Sequence, residues 1–197
     1  MPHICAVASV YGRKTSKNRS AATGETSIDL ITALAVSIGL LGGVATYLFL
    51  SPFGFGLQIW AAFIAWASFY HAGGGTSGFT SSVLANLWGV LWGAITLIAI
   101  TQTGYGSTLG LPLWAAICVA IGVALMILGA KISPFSAIPA QVYGFASTVA
   151  FTLLTNTAFA LTRPDLSNPA IIIALSMVVG AVFGLVSQKL AGALTKS

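Results

Sequence analysis

Long apolar segments dominate this 197-residue sequence and constrain its fold more than any other feature. A helix needs roughly 20 predominantly apolar residues to cross a bilayer, and these segments approach that length. Six of them lie between polar residues or Gly/Pro turns, at about 28–50, 57–72, 80–101, 111–129, 136–161 and 169–193. They do not alternate apolar and polar residues as the strands of a membrane β-barrel do. The sequence therefore predicts an all-α integral membrane protein with six transmembrane helices.

The composition excludes a water-soluble globule. Only 6% of the residues are charged and 57% are hydrophobic, whereas about a quarter of the residues in an average soluble domain are charged. The mean hydropathy is +0.96. The apolar content also excludes intrinsic disorder, and two cysteines do not make a disulfide framework. We expect the lipid bilayer to be the main partner of this chain.

Basic residues predict the orientation of the helices. Residues 1–26 form a polar tail without a signal-peptide core, ahead of a membrane domain at 27–197. With six spans, one side of the membrane holds seven basic residues and the other side holds only Arg163. The seven are Arg13, Lys14, Lys17, Arg19, Lys131, Lys189 and Lys196. The positive-inside rule then places both termini in the cytoplasm. Anionic lipid head groups suit the basic tail, so the net charge of +5 needs no nucleic-acid partner.

Similar residues recur in two of the segments. The third has Ser81 and then Ala85-Asn86-Leu87-Trp88-Gly89, and the fifth has Ser136 and then Ala140-Gln141-Val142-Tyr143-Gly144. We interpret this as part of three pseudo-repeated helical hairpins, which pair segments one and two, three and four, and five and six. Repeats of two helices would be related by an axis along the membrane normal. Chance similarity among Ala- and Gly-rich helices is the alternative.

Glycines on one helix face predict close packing between helices. The pairs Gly39 and Gly43, Gly89 and Gly93, and Gly180 and Gly184 are each four residues apart, and Gly144 makes a weaker stripe with Ala140. Small residues let helix backbones approach closely in lipid. We expect these contacts inside one bundle, with contacts between subunits of a homo-oligomer as the alternative.

The polar residues deep in the segments are uncharged. Absence of intramembrane Asp, Glu, Lys and Arg argues against carboxylate proton relays and voltage sensing. Asn86 and Gln141 are each placed about six residues inside their segments, with Ser81 and Ser136 nearer the ends. Their side chains could replace part of the hydration shell of a small polar solute. Hydrogen bonding between helices is the competing interpretation.

The second segment ends at His71, beside a run of three glycines. A histidine at this position can gate entry by changing its charge. Gly73, Gly74 and Gly75 permit a sharp turn, so we expect this stretch to form the cytoplasmic mouth of a solute pathway. Anchoring of His71 at the membrane interface, next to Tyr70, is the alternative.

The sequence lacks the motifs of catalysis and of cofactor or metal binding. It has no Walker loop, no dinucleotide fingerprint and no zinc-binding pair of histidines. Its acids, Glu25, Asp29 and Asp165, lie outside the segments. We therefore expect no enzyme activity, no cofactor, no metal site and no catalytic residues.

Six short helices are predicted, with a Trp60-Ala61 stretch and the run Phe69-Tyr70-His71-Ala72-Gly73-Gly74 in the second. In these features, over about residues 30–190, the chain resembles the YcdZ-like family of small bacterial inner-membrane proteins, a domain of unknown function. It implies a bacterial inner-membrane location and supplies no substrate.

Together these features favour a passive channel or facilitator, working as a homo-oligomer, for a small neutral or weakly anionic solute. The second hypothesis is a non-transporting membrane protein that assembles with lipids or a protein partner. An ion-coupled transporter ranks third, because coupling usually leaves a buried ionisable residue.

Overall fold

The computed structural model describes residues 28–195, so the predicted polar tail lies outside the described residues. These residues form α-helices that are joined by short turns. The α-helices are α1 (Leu30–Leu50), α2 (Ile59–His71), α3 (Gly75–Gln102), α4 (Tyr105–Leu109), α5 (Leu111–Leu128), α6 (Ile138–Leu154) and α7 (Pro169–Leu194). Single 3-10 turns at Pro52–Gly54 and Ala158–Ala160 and a double one across Gly129–Lys131 and Ser133–Phe135 interrupt the connections.

Within residues 28–195, four stretches are long and apolar enough to cross a membrane. They are Leu30–Leu50, Gly75–Gln102, Leu111–Lys131 and Pro169–Leu194. The other two predicted segments also contain helices, but α2 has 13 residues and α6 has 17. At 1.5 Å per residue these are about 20 and 25 Å long, shorter than the hydrocarbon core. The all-helical, membrane-type fold is thus confirmed, while six complete spans remain a prediction.

Contacts between helices show their relative directions. Gln58 N donates to Ser176 Oγ at 2.8 Å, and Trp66 Nε1 donates to Ser187 Oγ at 2.9 Å, so α2 and α7 run parallel. Trp88 Nε1 of α3 donates to the Met126 carbonyl near the end of α5, and Trp114 Nε1 near the start of α5 donates to the Ala99 carbonyl near the end of α3. The helices α3 and α5 are therefore antiparallel. The same reasoning makes α3 and α6 parallel, since Gly89 lies against Gln141 and Gly93 against Thr148.

The most extensive packing joins α3 to α6 and α2 to α7. These four helices form the interior, with α1 packed on α7 and α5 packed on α3 at the periphery. Within the predicted hairpins, α1 and α2 scarcely touch, and α6 touches α7 less than it touches α3. The three-hairpin repeat is therefore not confirmed. The similarity between segments three and five belongs to two helices that pack side by side.

A different correspondence relates the helices α1–α2–α3 to α5–α6–α7. In each set a short middle helix follows a Ser-Pro-Phe turn, Ser51-Pro52-Phe53 or Ser133-Pro134-Phe135, and begins near a glutamine and an aromatic residue. Each set packs its middle helix on the last helix of the other. The last helices share the pattern Gly-x-x-x-Gly-x-x-Thr/Ser, at Gly89 to Thr96 and at Gly180 to Ser187. Because each set has three main helices, the two sets run in opposite directions.

A groove between α2 and α6 supports this correspondence. It is lined by Trp60, Ile64 and Ala67 of α2 and by Tyr143, Ala146, Ser147 and Ala150 of α6. Trp60, Ile64 and Ala67 have the same spacing as Tyr143, Ser147 and Ala150, so equivalent positions of two antiparallel helices face one another. This arrangement is what a two-fold relationship between the halves produces.

Candidate functional site

A cavity of about 260 Å³ lies among the end of α2, the first part of α3 and the start of α6. It is lined by Ser68, His71, Ala72, Ser81, Ser136, Ala137, Pro139 and Ala140. Three of the residues predicted for a solute pathway, His71, Ser81 and Ser136, therefore line one cavity. A space of this size holds several water molecules or one small solute.

The cavity opens past the exposed residues Ser136 and Pro139 and is closed on its inner side by the buried residues Ser68 and Ala140. Asn86 lies eleven residues into α3, about 16 Å from its start, rather than the six residues expected from the sequence. Gln141 lies in the first turn of α6, yet its carbonyl is beside Gly89 of α3. The Phe135 ring before α6 also stacks on Trp88, with centroids 4.8 Å apart. The start of α6 is thus level with the middle of α3.

A buried polar cluster lies behind the Ser68 wall of this cavity. Ser82 Oγ donates to Ser68 Oγ at 2.8 Å, and Asn86 Nδ2 donates to Ser68 Oγ and Ser82 Oγ, each at 3.2 Å. All three residues are at most 1% exposed. Asn86 Oδ1 has no hydrogen-bond partner. The cluster connects Asn86, a predicted solute ligand, to the cavity surface through a serine.

Gln141 occupies a comparable buried position at the start of α6. Its Nε2 donates to the Phe135 carbonyl, which fixes the orientation of the carboxamide, and its Oε1 has no partner. The residue is fully buried. Both predicted carboxamides therefore lie in the α3–α6 contact next to cavity-lining residues, and each leaves one oxygen without a donor.

His71 is exposed at the cavity rim, where its Nδ1 lies 3.2 Å from the Tyr143 hydroxyl. The two rings are tilted, with centroids 6.3 Å apart. Because Tyr143 belongs to α6 and lines the neighbouring groove, this contact joins the short helices of the two halves beside the cavity. Its position fits either the predicted gate or the predicted anchor.

The glycine run turns the chain sharply from α2 into α3. Gly73, Gly74 and Gly75 all have positive φ angles, of 95°, 68° and 64°. Gln188 of α7 holds this turn, since its Oε1 accepts from Gly75 N at 2.7 Å. None of the three glycines lines the cavity. They position His71 and the start of α3 rather than contact the space directly.

The glycines expected to pack helices differ in their surroundings. A Cβ at Gly89 would collide with the main-chain carbonyl of Gln141, and a Cβ at Gly144 would collide with the main-chain carbonyl of Asn86. Gly93 also lies against α6, while Gly180 and Gly184 lie against α2 at Ala62 and Phe69. Gly39 and Gly43 have no atom of another residue within 4 Å of such a Cβ. Their face of α1 is open.

Sequence reasoning missed Ser68 and Tyr143 as members of the site. Ser68 precedes His71 by three residues, which places both on one face of α2. That spacing was the available signal. In the sequence, Tyr143 stands out only as the aromatic residue of the recurring stretch Ala140-Gln141-Val142-Tyr143-Gly144. No group of three or more His, Cys, Asp or Glu able to hold a metal occurs among residues 28–195.

Comparisons with known proteins give a family and no activity. A protein-family model described as "Protein of unknown function (DUF1097)" matches residues 35–192. "Uncharacterized protein YahC" of Escherichia coli (strain K12) is 36% identical over 92 residues, which cover 44% of this chain and 54% of YahC. The chain thus spans about half the length of this curated relative. No solved structure matches the chain. The narrower YcdZ-like resemblance is not confirmed by these matches. With most of its length matched by one model, the chain belongs to the DUF1097 family of proteins of unknown function.

Proposed function

We propose that this protein is a passive facilitator for a small neutral or weakly anionic solute in the bacterial inner membrane. The observation that carries the proposal is the polar cavity at the start of α6, in which three hydroxyls and His71 surround a space between the helices of an apolar bundle. Polar groups are costly inside a membrane domain and commonly mark solute pathways. Asp, Glu, Lys and Arg are absent from the cavity lining, which suits an uncharged or weakly charged solute.

The helix directions support six crossings with both termini in the cytoplasm. Main helices alternate in direction along the chain, so the cavity, Lys131 and Lys189 share the side towards which α2, α5 and α7 run. Arg163 follows α6 on the opposite side. In this proposal α2 and α6 cross the membrane together with the turns that precede them, since irregular backbone is tolerated at membrane depth where protein buries it.

The relationship between the two halves also supports transport. Halves of opposite direction, each with a short helix at the corresponding position, are a recurrent design of membrane transporters, and their solutes bind where the short helices begin. The cavity lies at the start of α6. The chain therefore combines a transporter-like arrangement with a polar space at the expected place.

Proteoliposome flux tests the proposal. Purified protein should raise the permeability to at least one member of a panel of small amides, short carboxylates and water above that of empty liposomes. A variant with Ser136→Trp, which fills the cavity mouth, should lose the increase. If the permeability to every solute in the panel equals that of empty liposomes, the protein is not a facilitator for these solutes.

The second candidate is a non-transporting protein that assembles with lipids or other chains. The close backbone contact of Gly89 with Gln141 favours it, because the bundle is tightly packed beyond the cavity. We also propose a homo-oligomer, in which the open face of α1 around Gly39 and Gly43 meets another copy. The mass of the protein in lipid nanodiscs tests the oligomer independently of flux.

A further inference from the structure

The two halves of the chain have different side chains at equivalent buried positions. The shared glycine pattern aligns Asn86 of α3 with Met177 of α7 and aligns Ser82 with Ile173. The paired lining of the α2–α6 groove aligns Ser68 with Phe151. Ile173, Met177 and Phe151 belong to one apolar cluster with Ala61, Ala65 and Val90. Where one half has a polar cluster, the other half has a hydrophobic one.

This difference argues on energetic grounds against a purely structural role for the polar cluster. Apolar side chains already fill the equivalent place in the same fold, and replacing buried polar groups with packed apolar ones is often neutral or stabilising. The polar cluster also leaves Asn86 Oδ1 without a donor, which costs free energy. Met177, at the equivalent position of the other half, carries no such cost, and this difference points to a ligand.

The starts of the two short helices differ in the same way. In α2, the Gln58 N–H is bonded by Ser176 Oγ from α7. The alignments pair Ser176 with Ala85 and Gln58 with Gln141, whose N–H is bonded to the Ala137 main-chain carbonyl because α6 begins about one turn earlier than α2. Ala137 at the start of α6 makes no side-chain capping bond. Ala137, Pro139 and Ala140 line the cavity instead. One helix start is closed by a hydroxyl of the protein, and the other opens into the cavity.

The groups around the cavity define the chemistry of the solute. Hydroxyls of Ser68, Ser81 and Ser136 can donate to a carbonyl oxygen. The oxygens of Asn86 and Gln141 that lack hydrogen-bond partners belong to buried side chains behind the lining residues, and they can accept from N–H donors. The lining residues include no Asp, Glu, Lys or Arg, so a fully charged solute would lose its hydration with little compensation from the protein. The matching solute is small, neutral and carries both a carbonyl and N–H groups.

We propose, building on the facilitator function, that the cavity binds a small primary amide of the acetamide or urea type. Its carbonyl lies among the serine hydroxyls at the start of α6, and its amino group is directed towards Asn86 and Gln141. This assigns the substrate class within the broader range of neutral and weakly anionic solutes.

Acetamide and acetate test the proposal because they have nearly the same shape and differ in charge and N–H groups. Saturation-transfer NMR on the full chain in detergent at neutral pH measures their binding without requiring transport. Acetamide should bind, and acetate should bind at least about tenfold more weakly. Binding of acetate in preference to acetamide, or of neither, would overturn the amide assignment whatever the flux experiment shows. Binding of acetamide without flux would instead contradict only the facilitator function.

The variant Asn86→Met separates binding from folding, because methionine is the residue that the chain itself has at the equivalent position. We expect unfolding stability to be kept or raised and acetamide binding to fall about tenfold, the usual effect of losing hydrogen bonds to a ligand. Thr96→Val is the matched control, since it also removes an unpartnered buried oxygen but lies away from the cavity. Unchanged binding in Asn86→Met, or equal losses in both variants, would contradict the assignment. Failure of Asn86→Met to fold would contradict it too, because the polar cluster would then be structural.

Discussion

Gly89 of α3 and Gly144 of α6 each lie against the backbone of the opposite helix. The main-chain carbonyl of Gln141 fills the space beside Gly89, and the main-chain carbonyl of Asn86 fills the space beside Gly144. The contact is reciprocal and joins the two helices that carry the candidate carboxamides. It therefore sets both the spacing of α3 and α6 and the position of Asn86 relative to Gln141.

Alanine at either glycine should force these helices apart. For Gly89→Ala or Gly144→Ala we expect a loss of about 1–3 kcal/mol in the free energy of unfolding, the usual cost of overpacking a filled interior. Gly43→Ala is the matched control, because a Cβ there meets no neighbouring atom and alanine favours helix. Denaturant unfolding in detergent, followed by circular dichroism, measures all three. Equal stability of the three variants would contradict the close contact.

Ser187 of α7 should matter more for stability than its equivalent in the other half, Thr96. Ser187 Oγ accepts from Trp66 Nε1 at 2.9 Å and lies 2.8 Å from the Tyr70 hydroxyl, so Ser187→Ala leaves a buried indole N–H without an acceptor. We expect a loss of about 1–3 kcal/mol. Thr96 Oγ1 has no partner, so Thr96→Val should be neutral or stabilising. The same unfolding assay compares them, and the reverse order would show that the hydrogen-bond assignment is wrong.

Asp29 should make the stability of α1 dependent on acidic pH. Its carboxylate caps the helix, with bonds to Ile31 N at 3.0 Å and Thr32 N at 3.2 Å. The hydrogen bond from the Thr32 side chain, followed by that from its backbone, lowers the pKa of Asp29 below the ordinary value of 3.8. The ionised form therefore stabilises the folded state above pH 3.8, and this contribution disappears as the pH falls through the lower, folded-state pKa.

Thermal unfolding at neutral and acidic pH checks this prediction. Asp29→Asn should lower the midpoint at pH 7 and should reduce the drop that the unsubstituted chain shows on acidification. A residual drop is expected, because hydrogen bonds from Ser167 lower the pKa of Asp165 as well. Identical pH profiles with and without Asp29 would exclude its contribution.

Cysteine labelling tests the proposed orientation. In a chain with Cys5→Ser and Cys118→Ala, a cysteine replacing Ser136 should react with a membrane-impermeant thiol reagent from the cytoplasmic side. A cysteine replacing exposed Ser107, between α3 and α5, should react from the opposite side. Labelling of both from one side would contradict the alternating helix directions.

Much of the fold was predictable because apolar length is a strong signal. Every predicted segment contains a helix, and α5 and α7 end within a residue of the expected position. The start of α3 was missed by five residues, since Gly75, Thr76 and Gly78 suggested a turn although the backbone is already helical there. The fifth predicted segment, 136–161, is longer than α6, which ends at Leu154. The sequence stays apolar beyond Leu154, but the backbone turns at Asn156, which has a positive φ angle of 55°.

The pairing of helices was not predictable from local patterns. Asn86-Leu87-Trp88-Gly89 and Gln141-Val142-Tyr143-Gly144 are alike because their glycines pack reciprocally, and the similarity alone suggested a hairpin repeat. Likewise, Asn86 and Gln141 differ in depth along their own helices and become neighbours only because α6 starts inside the bundle. That offset depends on the Trp88–Phe135 stack, a tertiary contact.

The central claim is that solute enters through the cavity at the start of α6. In the background without native cysteines, Ser136→Cys protein in proteoliposomes is assayed for acetamide flux before and after a methanethiosulfonate reagent, and again after reduction. We expect that modification reduces the flux to that of empty liposomes, that reduction restores it, and that the same treatment of Ser107→Cys changes nothing. Flux through Ser136→Cys that persists after complete modification would contradict entry through this cavity.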